Sequence, residues 1–105
     1  MLDFHQLFSK HFLAHHGPDH FEVARTLTNL GITYGDLGNH KKKKELFERA
    51  LAIQEKHYGL DHFQVAIAMT NLGNTYGALG DHKKAKELLE QASFILEKHH
   101  SHDYF

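Results

Sequence analysis

The sequence predicts an all-α fold built from stacked helical hairpins, and three observations carry that prediction. Residues 17–58 and 59–100 align without a gap over 42 positions, 27 of them identical. Within each unit the apolar residues recur at three- and four-residue steps, the signature of a single stripe along a helix. Nothing alternates with period two over a useful length, and the only proline, Pro18, stands just before a predicted helix start. Duplication this clear points to a repeat array, where one hairpin cannot bury its stripe alone and neighbours stack into a continuous core.

The first sixteen residues are not a third copy. Leu2, Phe4, Leu7, Phe8, His11 and Phe12 nonetheless form an amphipathic pattern, with Asp3 and Gln6 at the spacing of a capping box. Counting back one repeat length puts this segment in register with the second helix of a unit. The chain therefore reads as a single repeat domain over 1–105: a half-repeat helix (1–16), two whole repeats (17–58 and 59–100) and a tail (101–105), about five helices in all.

In the first unit Phe21, Ala24, Leu27, Leu30, Tyr34 and Leu37 trace the stripe of the first helix. Leu46, Phe47, Ala50, Leu51 and Ile53 trace that of the second. Asp19 with Glu22, and Asp61 with Gln64, have the N-cap and N3 spacing of capping boxes. Gly38-Asn39 and Gly80-Asp81 each supply a left-handed C-terminal residue followed by a cap for the next helix. Gly59 closes the second helix of the first unit. Gly31 and Gly73 fall inside helices, where glycine costs roughly 0.5–1 kcal/mol relative to alanine. A cost repeated in both units implies close approach of two helices. The last helix, 82–100, carries an apolar side that a further repeat would cover. Phe94 and Leu96 replace the Ala52 and Gln54 of the first unit there, and the tail is too short to form a capping helix.

Composition narrows the function. The formal charge of −1 gives no electrostatic bias towards nucleic acid or a membrane surface, and leaves little repulsion between copies. There is no cysteine, hence no disulfide framework and no thiol nucleophile. Asp3, His5, Lys10 and His11 interrupt the opening residues, which lack the apolar run of a signal peptide. No stretch approaches the roughly 18–20 apolar residues needed to span a bilayer. The expected setting is cytoplasmic.

The segment from Ala24 to His57 resembles the tetratricopeptide repeat. The large first-helix residue of that pattern falls on Leu27, its Asn-Leu-Gly on Asn29, Leu30 and Gly31, and its tyrosine on Tyr34. The turn glycine is Gly38, the second-helix aromatic Phe47 and the small mid-helix residue Ala50. In the second unit these roles fall on Met69, Asn71, Leu72, Gly73, Tyr76, Gly80, Leu89 and Ala92. The repeat length and the junctions GPDHFEVA and GLDHFQVA are similar to the longer repeats of kinesin light chain. Two departures stand out. The small residue expected early in the second helix is Ala85 in the second unit but Lys43 in the first. Lys43 is expected to lay its stem along the groove and loosen that junction. The proline that often ends the second helix is replaced by Glu55 and Glu97, so that helix is expected to run on by about two turns.

The resemblance implies a right-handed α-α superhelix whose first helices line a concave surface that binds a peptide or partner protein. Opposite the apolar stripe lie Arg25, Thr28, Asn29, Ile32 and Asp36, then Ile67, Thr70, Asn71, Asn74 and Ala78. Asn29 and Asn71 lead these candidates, since an amide both donates and accepts and can hold a peptide backbone without reading its sequence. The exposed last helix also suggests self-association, by stacking or helix exchange.

Rival chemistries are thinner. Twelve histidines invite a metal-site reading, with local groups at His15, His16 and His20, at His57 and His62, and at His99, His100 and His102. Most recur by duplication, no H-E-x-x-H is present, and no metal or cofactor is expected. Their number does predict weaker self-association and lower stability near pH 5. Lys41 to Lys44 read as a solvated helix face, and no aromatic interleaving points to nucleic acid. The glycines of GITYGDLG follow no strand and lack the Gly-Lys-Ser/Thr of a phosphate-binding loop. No nucleophile motif or carboxylate pair supports catalysis, so the chain is expected not to be an enzyme.

Overall fold

The computed structural model describes residues 21–104, with side chains through His99. Four helices follow in order: α1 (Phe21–Asp36), α2 (His40–Tyr58), α3 (Phe63–Ala78) and α4 (His82–Tyr104). The described residues contain no strand. The half-repeat helix expected over 1–16, and Asp19 of the first capping box, lie outside them.

The helices begin and end for local chemical reasons. Asn39 caps α2 by accepting a hydrogen bond on Oδ1 from the Lys42 amide at 3.1 Å, and Asp81 does the same for the Lys84 amide at 3.1 Å. Before each cap the chain turns through a left-handed glycine, Gly38 at φ 88° and Gly80 at φ 90°. The Asn39 amide then donates to the Tyr34 carbonyl and the Asp81 amide to that of Tyr76, at 2.8 and 2.9 Å. These are the six-to-one bonds of a Schellman turn. The two hairpin turns are thus duplicates in geometry as well as in sequence.

One cap departs from expectation. The N-cap of α3 is His62, whose Nδ1 accepts from the Gln64 amide at 3.0 Å. Asp61, predicted for that role, faces away and binds Lys98 Nζ of α4 at 2.5 Å. A distant ammonium offers the carboxylate a charge-assisted partner, and the neighbouring imidazole takes over the cap. The second helices do run on, α2 to Tyr58 and α4 to Tyr104. The tail predicted from residue 101 is therefore a continuation of α4 through 104.

Packing is sequential: α1 on α2, α2 on α3, α3 on α4. Val23, Ala24, Leu27, Leu46 and Ala50 form a buried cluster inside the first hairpin. Phe47 and Leu51 of α2 join Val65, Ala66, Met69, Leu72 and Tyr76 of α3 and Ala85, Ala92 and Ile95 of α4 in a second. This second cluster crosses the boundary between units, so the hairpins share one core. The predicted α1 stripe needs correction at both ends. Phe21 and Leu37 are 37% and 77% exposed, while Val23 is buried. Phe21 instead stacks on the His57 ring, with centroids 5.0 Å apart. Leu37 falls in the turn, where the helical stripe no longer applies.

The embedded glycines do bring helices together. A Cβ on Gly31 would stand 2.7 Å from the Phe47 ring, and one on Gly73 would stand 3.0 Å from Leu89 Cγ and 3.4 Å from the Ala85 carbonyl oxygen. Lys43 lays its stem over Gly35 and brings Nζ to 5.4 Å from the Phe47 ring. That contact fills the space a small residue would leave, and the two hairpins pack equally extensively, not one more loosely than the other. Lys44 reaches over the Tyr76 ring at 5.5 Å. Half of the lysine run is thus packed on aromatic faces instead of lying in solvent.

Candidate functional site: a polar cleft between the first helices

Because α1 and α3 both rest on α2 but not on each other, a cleft of about 150 Å³ opens between them. Arg25, Thr28 and Asn29 come from α1, Ile67, Ala68, Asn71 and Gln64 from α3, and Gln54 rises from α2 below. Of the ten residues predicted opposite the apolar stripe, the cleft gathers five, Arg25, Thr28, Asn29, Ile67 and Asn71, while Ala78 is exposed at the end of α3. Ile32, Asp36 and Asn74 are exposed further along the same helices, and Thr70 is half-buried.

The polar groups differ in what they have to spare. Thr28 and Thr70 donate their hydroxyls to the Ala24 and Ala66 carbonyls, each at 2.9 Å, which leaves only acceptor capacity. Arg25 lies 3.6 Å from Glu22 in an exposed pair, an interaction worth at most about 1 kcal/mol and easily exchanged. The Asn29 and Asn71 carboxamides make no hydrogen bond to any described residue. Their backbone carbonyls, by contrast, are occupied by Thr33 and Thr75 hydroxyls, at 3.1 and 2.9 Å. Each amide therefore keeps its donors and its acceptor for something else.

Gln54, Gln64 and Ala68 were not among the expected residues. Gln54 is the most informative of them. Its Oε1 is sealed from solvent and has no hydrogen-bond partner. An unpaired buried acceptor costs about 1–3 kcal/mol. A sequence signal existed: the matching position in the second unit is Leu96, so the first unit places an amide where an apolar residue fits the pattern.

Of the histidine groups predicted from the sequence, the side chains of His15, His16, His20, His100 and His102 lie outside the described residues. Among the described residues no group of three or more His, Cys, Asp or Glu side chains is placed to hold a metal ion. Instead Phe21, His57, Tyr58, His62 and Phe63 form a run of ring contacts, with successive centroids 4.4–5.0 Å apart. This run joins the ends of α1, α2 and α3.

Two tetratricopeptide repeat family models match the chain, one over residues 44–98 and the other over 23–64. The first alone covers just over half of the sequence. The chain belongs to the tetratricopeptide repeat family. No curated protein matches it. The match to residues 44–98 straddles both units, joining α2 to the second hairpin across the shared core. As a tetratricopeptide protein it is an array of protein-interaction repeats, of a kind that typically serves as a non-catalytic scaffold. No described helix is long and apolar enough to cross a membrane.

Proposed function

We propose that this tetratricopeptide protein binds an extended segment of a partner polypeptide in the cleft between α1 and α3. The observation that carries the reading is a set of unspent carboxamides, Asn29 and Asn71 on facing helices with Gln54 beneath them. Paired amides on two helices match the alternating N–H and C=O groups of an extended backbone. Gln54 explains why a peptide is needed: turned outward, its oxygen meets a donor from the ligand and the buried acceptor is relieved. Ile67, 44% exposed, offers one apolar contact at the rim. Recognition by main-chain bonds plus one apolar contact gives moderate affinity and broad sequence tolerance.

The test is a peptide pull-down and titration comparing the native protein with Asn29→Ala/Asn71→Ala. Each amide contributes about 0.5–1.5 kcal/mol through its hydrogen bonds, so the double variant should bind about tenfold more weakly or worse. Its melting temperature should stay unchanged, since neither amide bonds to a described residue. Equal binding by both proteins would refute the assignment.

A further inference from the structure

A second groove lies between α2 and α4, which like the first helices do not pack on each other. It has a volume of about 630 Å³, a floor of Met69 and Ile95, and walls that include Leu60 and Phe94. Leu60 and Phe94 are 66% and 69% exposed, an unusual state for two large apolar residues facing one groove. Phe94 is not a requirement of the repeat, because the matching residue of the first unit is Ala52. The spacing predicts Phe94 on the side of α4 that a further repeat would cover; it lies in this groove instead.

The rim of the groove is acidic. Glu55, Asp61 and Glu90 border it against one cation, Lys98. Lys98 is already bound to Asp61, and Glu90 has only a distant exposed partner in Lys86, at 3.8 Å. Glu55 makes no side-chain bond to a described residue. An apolar trough with surplus carboxylate at its edge selects for apolar anchors flanked by positive charge. The trough runs between two helices, the setting in which a third helix lays down an apolar edge.

We propose that this groove is a second docking surface, and that its occupant is an amphipathic helix of a partner protein with basic residues beside its apolar stripe. The Phe94 ring is the anchor contact, and Glu55 and Glu90 receive the flanking lysines or arginines. This surface is separate from the Asn29–Asn71 cleft, so a partner on one leaves the other open.

Two synthetic helices test this, one with a leucine stripe and lysines, the other with glutamates in place of the lysines. Titrated into the labelled full chain, the lysine peptide should shift the amides of Leu60, Met69 and Phe94 and bind at least about tenfold more tightly than its twin. Phe94→Ala, which installs the residue of the first unit, should weaken it about tenfold, whereas Asn29→Ala/Asn71→Ala should not. Equal binding by the twins, shifts confined to Asn29 and Asn71, or no binding would overturn the proposal. So would self-association that Phe94→Ala abolishes, which assigns the groove to a second copy. A nitroxide on Ser9→Cys, a unique thiol in this cysteine-free chain, gives the last outcome. Broadening of the Phe94 signals by that label assigns the groove to the chain's own first residues.

Discussion

At the scale of single residues, two glycines one turn apart on α3 do opposite things. Gly73 touches α4: an added Cβ meets Leu89 at 3.0 and 3.1 Å and the Ala85 carbonyl at 3.4 Å. Gly77 meets only the Ala85 methyl at 3.7 Å, an ordinary contact. Gly73→Leu should therefore lower stability by about 1–3 kcal/mol or more through overpacking. Gly77→Ala should raise it by about 0.5–1 kcal/mol, because alanine loses less backbone entropy on folding. Chemical denaturation of both variants checks the pair, and a neutral Gly73→Leu would contradict the helix approach seen here. Gln54 is the other residue with a sharp expectation. Gln54→Leu copies the second unit and removes a buried acceptor without a partner, so it should stabilise the fold by about 1 kcal/mol. The same change should weaken peptide capture in the cleft. A gain in melting temperature together with a loss of binding would mark Gln54 as a functional residue maintained at a cost in stability.

At the scale of helices and turns, legibility depended on whether the chemistry was local. The Gly38-Asn39 and Gly80-Asp81 turns were readable because a left-handed glycine followed by a capping side chain needs only its neighbours. Asp61 was not readable in the same way. Its partner is 37 residues away, and no local pattern reveals that a lysine on α4 will compete for it. Leu37 failed for a related reason, because a stripe read from spacing does not show where a turn ends it, and Phe21 failed because its ring partner, His57, stands on another helix. The Asp61–Lys98 link also predicts an acid response. The Lys98 hydrogen bond holds the Asp61 carboxyl below its ordinary value of 3.8, with the Lys98 and His99 charges helping and desolvation opposing. The unfolded chain thus takes up this proton at higher pH than the folded chain. The stabilisation is fully present above about pH 4 and is lost as pH falls through the folded value. The pair is exposed at the surface, so the effect is small. Melting curves from pH 5 down to pH 2 should show a shallower decline for Asp61→Asn than for the native chain, and parallel declines would dismiss the link.

At the scale of the whole molecule, the duplication permits a comparison the single hairpins do not. Leu51 lies in the cluster that joins α2 to the following hairpin and is buried against α3. The matching residue on α4 is Ser93, which is exposed and donates to Glu97 Oε1 of its own helix at 3.3 Å. The face of α4 that would receive a further first helix has therefore lost its central apolar residue, although it keeps Leu96 at 39% exposure. Stacking of a further first helix needs an apolar face to bury, and a serine in place of a buried leucine makes this face of α4 a weaker one. The spacing of Phe94 and Leu96 predicts a more apolar face here than in the first unit; Phe94 lies in the outer groove instead, and the gain of Leu96 over Gln54 stands against the loss of Leu51 to Ser93. Ser93→Leu restores the residue of the first unit and should recreate a docking face on α4. Sedimentation velocity across a concentration series should show stronger self-association for Ser93→Leu than for the native chain. If the two sediment alike, the polarity of Ser93 does not limit stacking on this face of α4.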